Sequence, residues 1–169
     1  ATLLVWVVAP APLVLAQEGG ETTEGGGEPG GGEPQGPKID WLVGPATGKL
    51  GDVGEVQVPE GFVFAGGDDT RILMEAYGNP VNHLELGFLS PADHGWYVVF
   101  EWDSCGYVKD DEKDSLDHKA MLESIIAGNE RGNEERRKRG WATLTITGWQ
   151  TAPRYNPETN NLEWGIQGH

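Results

Sequence analysis

The densest run of reactive side chains in this sequence is Gly106-Tyr107-Val108-Lys109-Asp110-Asp111-Glu112-Lys113-Asp114. It follows a strongly strand-like segment and precedes a helical one, so it reads as a loop held between two rigid elements, where sites usually lie. Gly106, Tyr107, Lys109, Asp110 and Asp111 form the candidate functional loop. Asp110, Asp111 and Glu112 are weak candidates for a hard cation bound through carboxylate oxygen. The spacing and the central glycine of an EF-hand loop are absent. The favoured reading of these acids is therefore a solvated turn at a helix N-terminus, where the helix dipole favours negative charge.

The other chemistry-bearing residues give less. His83, His94, His118 and His169 form no His-x-x-x-His pair and no Glu-x-x-His box. His118 reads as an exposed polar residue rather than a ligand. Cys105 is the only cysteine, which excludes an internal disulfide framework and a multi-cysteine zinc site. With no neighbouring histidine to act as base, it is expected to be a partly buried turn thiol, neither catalytic nor disulfide-bonded. Gly-rich segments such as 48–54 lack the Gly-Lys-Ser/Thr ending of a phosphate loop, and there is no Gly-x-Ser-x-Gly elbow. No residue is assigned a catalytic role, and no cofactor is expected. Arg131, Arg136, Arg137, Lys138 and Arg139 make the one basic cluster, read as a solvated helix face with its own Glu partners. The tryptophans at 41, 96, 102, 141, 149 and 164 are expected mostly in strands, packing a core or a sheet surface.

Charge narrows the partners. Twelve Lys and Arg stand against 27 Asp and Glu, a formal net charge of −15 over 169 residues. Nucleic-acid binding needs Lys and Arg to displace counterions from phosphates, so no nucleic-acid partner is expected.

The elements that would position the loop begin after two non-globular segments. Residues 1–16 read ATLLVWVVAPAPLVLA, with no charge before Glu18. An apolar core followed by Val14 at −3 and Ala16 at −1 has the form of a signal peptide with its start clipped. The competing readings are a buried strand or a membrane span, and Pro10 and Pro12 count against the span. Residues 17–37 are mostly Gly, Glu and Pro with no large apolar side chain, the composition of a disordered, self-repelling linker. Residues 38–169 make one domain.

Within that domain, 55–58 alternates, Pro59-Glu60-Gly61 turns, and 62–65 reads as the returning strand of a hairpin. Asp68 or Asp69 can cap a helix to Tyr77 with Ile72, Leu73 and Ala76 on one face, stopped by Gly78-Asn79-Pro80. Residues 83–89 alternate. Residues 96–102 form a strong strand of aromatic and β-branched residues. Asp114 or Ser115 is the expected cap of a second helix with a stripe of Met121, Leu122, Ile125 and Ile126, ended or interrupted at Gly128. A further helical piece covers 133–139, with Glu134–Lys138 and Glu135–Arg139 as i,i+4 pairs. A strand over 142–149, a turn-rich stretch 153–161 and a strand from Leu162 complete the pattern. The fold class is α+β, a mainly antiparallel sheet with two or three helices.

Several blocks of this pattern resemble a bacterial family of predicted membrane-anchored proteins, catalogued as domain of unknown function 2167. They are Trp41-Leu42-Val43-Gly44-Pro45, Val58-Pro59-Glu60-Gly61-Phe62, Tyr77-Gly78-Asn79-Pro80, Gly87-Phe88-Leu89, Gly106-Tyr107-Val108-Lys109-Asp110-Asp111 and Asn133-Glu134-Glu135-Arg136. Gly148-Trp149 with Pro153 and Tyr155 completes the set. The resemblance implies an exported, membrane-anchored protein found chiefly in Gram-negative bacteria, with no established activity. Cys105 departs from the pattern.

The expectation is therefore an exported protein on the periplasmic face of a membrane, acting as a structural or interaction module with an envelope protein as partner. Further strands and an apolar anchor of about 20 residues are expected after His169. The alternatives are a metal-dependent or carboxylate-based envelope enzyme at Asp110, Asp111 and Glu112, or a periplasmic small-ligand binder using the strand tryptophans.

Overall fold

The computed structural model describes residues 2–8, 37–106, 109 and 111–169. Their strands, in chain order, are β1 (Thr2–Val8), β2 (Leu42–Val43), β3 (Ala46–Leu50), β4 (Gly54–Val58), β5 (Phe62–Gly66), β6 (Glu85–Pro91), β7 (Tyr97–Asp103), β8 (Ile146–Asn156) and β9 (Asn161–Gly168). The two helices are α1 (Gly67–Ala76) and α2 (His118–Lys138). The fold is α+β with antiparallel sheets, as the sequence pattern indicates. The main sheet runs β1-β7-β6-β5-β2, and β3–β4 and β8–β9 form separate two-stranded ribbons.

β7 organises the core. Tyr97, Val98, Val99 and Phe100 are all buried, because both faces of the sheet are covered, and a strand covered on both sides needs apolar residues in both phases. Tyr97 and Val99 pack with Ala65, Phe88 and the α1 residues Leu73 and Met74. Val98 and Phe100 pack on the opposite face with Phe64 and with Leu50 and Val58 from the β3–β4 ribbon. The layers are thus helix, sheet and ribbon.

The expected hairpin between 55–58 and 62–65 is not formed. β4 pairs with β3, from Ala46↔Val58 to Leu50↔Gly54, while β5 pairs with β2 and β6. Gly51, at φ +54°, makes the tight β3–β4 turn, a left-handed conformation that costs glycine little. Pro59-Glu60-Gly61 is instead a corner between sheets, closed by the Phe62 N–H on the Pro59 carbonyl at 3.2 Å.

α1 also starts differently from its expectation. Its N-cap is Gly66, with no side-chain cap bond, and Asp68 and Asp69 lie in the first turn, where the dipole favours them. The buried residues are Thr70, Leu73 and Met74, an i, i+3, i+4 set. Ile72 is 41 % exposed because it sits roughly 200° around the axis from Met74. Gly78 ends the helix at φ +71°, as its sequence predicts, with Asn79 N–H returning to the Met74 carbonyl at 2.8 Å.

α2 is one continuous helix, not two pieces. The glycines at 128 and 132 each cost only about 1 kcal/mol, and tertiary anchors described below hold the helix across them. β8 starts at Ile146 and runs through Pro153, which the sequence assigns to a turn. Register irregularities lie on either side of Thr151, up to Arg154, and proline fits such a place because it has no N–H to give a ladder. The hairpin turn is at 157–160, with Asn160 at φ +55°.

Thr2–Val8 lies along the edge of β7, paired antiparallel from Thr2↔Asp103 to Val8↔Tyr97. This is part of the run that reads as a leader in the sequence. The remainder of that segment and nearly all of the 17–37 linker lie outside the described residues.

Candidate functional site

The candidate loop joins β7 to α2. Tyr107, Val108 and Asp110 lie outside the described residues. Gly106, Lys109, Asp111, Glu112 and Asp114 are all exposed. The Glu112 carbonyl accepts the Ser115 N–H at 2.9 Å and its hydroxyl at 3.3 Å, which closes a turn. Lys113 Nζ lies 5.0 Å from the Tyr155 ring centroid, a cation–π contact that ties the loop to β8. Cys105 is exposed and outside any disulfide, rather than partly buried, because β7 has already left the core at Asp103.

The cap of α2 is Asp117, not Asp114 or Ser115. Its Oδ1 accepts the N–H groups of Lys119 at 3.1 Å and Ala120 at 3.0 Å, which would otherwise be orphans of the first turn. Beside this cap, Glu112, Ser115, Leu116, Asp117, Ala120 and Met121 line an open groove of about 470 Å³. Its lining combines the acids Glu112 and Asp117 with the apolar Leu116, Ala120 and Met121. Asp117→Ala should cost about 1 kcal/mol, within a range of about 0.5–2, seen as loss of helicity at the start of α2. A variant as stable as the parent would show that the cap does not hold this end.

The far end of α2 is docked. Arg136 Nε donates to the Gly78 carbonyl at 3.2 Å, and its Nη2 donates to Asn79 Oδ1 at 3.2 Å. Arg139 Nη1 donates to Glu75 at 2.9 Å and Nε to Glu135 at 2.8 Å, with the guanidinium 4.8 Å from the Trp141 ring centroid. Burial lowers the pKa of Arg136. The hydrogen bonds to Glu135 and Glu75 raise that of Arg139, and the bond from Arg139 holds Glu135 below the usual carboxylate range. The basic cluster thus largely has Glu partners, as expected: Arg137 also meets Glu130. Lys138 reaches Glu135 at 3.8 Å rather than Glu134. The role of Arg136 is the part that sequence reasoning missed.

Asn133 is the buried residue of α2. Its Oδ1 accepts the Leu144 N–H at 2.9 Å, and its Nδ2 donates to the Leu144 carbonyl at 2.8 Å. Asn129 Nδ2 reaches the same carbonyl at 2.7 Å. These bonds seat the helix against the segment entering β8.

A family model covers residues 43–169, about three quarters of the chain, and its family is described as protein of unknown function DUF2167. The chain belongs to the DUF2167 family. Nothing among curated proteins or solved structures matches it. In this DUF2167 domain, two of the blocks quoted from the sequence meet in space, since Arg136 binds the Gly78-Asn79 turn.

The histidines and tryptophans are dispersed. Ser90 Oγ is 3.3 Å from His94 Nδ1, and the His94 ring packs on Trp41 at 5.5 Å. His118 is exposed at the start of α2, as its sequence context suggests. Trp102, Trp149 and Trp164 lie in strands, whereas Trp41, Trp96 and Trp141 lie in connections. Among the described residues, no three His, Cys, Asp or Glu side chains converge as metal ligands, and no helix is long and apolar enough to cross a membrane.

Proposed function

We propose that this DUF2167 protein is an exported bacterial envelope protein, membrane-anchored as the family resemblance implies, whose domain is an interaction module facing the periplasm. The observation that supports the module reading is the uncovered stripe of α2. Met121, Leu122 and Ile125 are only half-buried, and Ile126 is 42 % exposed. An apolar helical stripe stabilises a fold when something covers it, and Met121 lines one groove with Glu112 and Asp117, so apolar and polar side chains share this surface, as they do at protein interfaces. The sequence features behind export and a stand-off from the membrane are the apolar run that ends in Val14 and Ala16 and the acidic linker; in the uncleaved chain Thr2–Val8 of that run pairs with β7.

Photo-crosslinking from position 126 in intact bacterial envelopes tests this reading. The expected result is a discrete protein adduct that is absent when the crosslinker sits at the exposed Glu158 in the β8–β9 turn. Ile126→Asp should change stability by no more than about 0.5 kcal/mol, and in combination with Met121→Asp it should abolish the module's role in the envelope. Equal labelling from both positions, or full function of the double variant, would overturn the proposal.

A further inference from the structure

β1 and β7 are neighbours at one side of the main sheet. Every residue of β7 pairs with β1, from Thr2↔Asp103 to Val8↔Tyr97, and the register runs without a shift. On its other side β7 pairs with β6, and there the register breaks between Glu85 and Gly87. The ladder with β1 is thus the more regular of the two. β1 reads TLLVWVV, seven residues without a charge. Among the described residues, no other strand pairs with this edge of β7.

β7 carries little of what protects an edge strand. Edges that face water are usually blunted by lysine, proline, inward-pointing charge or a bulge. β7 reads YVVFEWD, with no lysine and no proline, and its acids Glu101 and Asp103 come only in the second half. Tyr97, Val98, Val99 and Phe100 are all buried. Such an edge, once bared, leaves a row of unpaired N–H and C=O groups beside apolar side chains, which is unfavourable for both. Under the export reading, on which this inference rests, cleavage after Ala16 removes β1 and bares that edge. The strands β7-β6-β5-β2 stay in the chain.

We infer that in the mature protein the edge of β7 accepts an apolar, uncharged strand from another envelope protein, added antiparallel in the place of β1. The strand seated there in the uncleaved chain sets the chemistry of the occupant. In strand addition, main-chain hydrogen bonds give affinity and the fit of alternate side chains gives specificity. A charge brought beside Tyr97 to Phe100 would lose its hydration without gaining a partner. This surface lies on β7 and is separate from the stripe of α2.

The test disables β1 within the full chain, because a tethered strand competes with an added one at an effective concentration on the order of millimolar. Successive N–H groups of a strand point to opposite sides. One of Leu4 and Val5 therefore donates toward β7, and Leu4→Pro with Val5→Pro removes that donor. The probe is a fluorescent TLLVWVV peptide extended by lysines for solubility. It should bind the double variant at least about tenfold more tightly than the parent, and a peptide with proline at the same two places should bind neither. Where the double variant melts as an unfolded chain, a protease site placed within 17–37 replaces it: the parent is folded and cut, and the probe should exchange into the place of β1. In envelopes, a photo-crosslinker at Asp103 should join the mature chain to an uncharged apolar segment of another protein. Absence of probe binding, or equal binding of the proline peptide, overturns the inference. So does a stable dimer that excludes the probe, which would seat a second copy on β7. A protein that keeps Ala1 in the envelope refutes leader removal, and this role with it. That result is read from the protein's mass, independently of the probe.

Discussion

Phe88→Ala should lower the unfolding free energy by about 3–5 kcal/mol. Phe88 is fully buried in the middle strand of the main sheet. Its ring stacks on Tyr97 at 5.0 Å between centroids and meets Trp41 at 5.9 Å and Tyr77 at 6.4 Å. Removing it empties the space between α1 and the sheet, and three aromatic neighbours lose a common partner. Rings of this size relax poorly into a void, so both the transfer loss and the cavity remain. Against a total of about 5–15 kcal/mol for a typical domain, the loss would leave the fold marginal. Urea titration should show a lower midpoint with an unchanged slope. The Tyr97 phenol, whose pKa is raised by burial and by the neighbouring Tyr77, should titrate closer to its ordinary value in the variant. A loss below about 1 kcal/mol would mean that the α1 face is not the principal core.

Gly87→Ala should also be damaging, for the opposite reason. A Cβ at position 87 would lie 2.6 Å from Phe64 Cε2 and 2.8 Å from Leu50 Cδ2. The ring cannot withdraw, because a Cβ at Gly48 on the next layer would already be 2.8 Å from Phe64 Cδ1. Phe64 is thus clamped between two glycine backbones, at 4 % exposure. Overpacking of this kind costs about 1–3 kcal/mol and occasionally more. Phe64→Leu in the Gly87→Ala background should recover part of the loss, since a smaller side chain frees the space the methyl needs. A neutral Gly87→Ala, or a double variant no better than the sum of its parts, would refute the clamp.

Much of the fold was legible where the information is local. Residues 96–102 announce a strand through aromatic and β-branched content alone, within one residue of β7 at each end, and Gly78-Asn79-Pro80 announces the end of α1. Pairing was less legible, because it is a choice between distant partners. The spacing of 55–58 and 62–65 satisfies a hairpin, yet β5 is drawn into the main sheet, where Phe64 fills the slot between Gly48 and Gly87. The continuity of α2 depends on Asn129 and Asn133 reaching Leu144, a contact with no local signature. The sequence placed the acidic segment between a strand and a helix, which is where it lies, but the cap beside it was misplaced by two or three residues because several acids in a row compete for the role. Glu85, buried at 3 % exposure at the start of β6, is a further case. The register shift between Glu85 and Gly87 moves Glu85 out of phase with Gly87 and onto the Phe88 side of the sheet, so simple alternation misplaces it.

The continuity of α2 also has a metric consequence. A helix of 21 residues is about 30 Å long. The acidic groove at its start and the Gly78-Asn79 turn that grips Arg136 near its end are therefore held apart by a rigid ruler spanning most of a small domain. A small molecule can occupy one end or the other and never bridge them. Only an extended object, such as a long peptide segment or the flank of another protein, can register both ends together, and only if its own two contact points match that spacing.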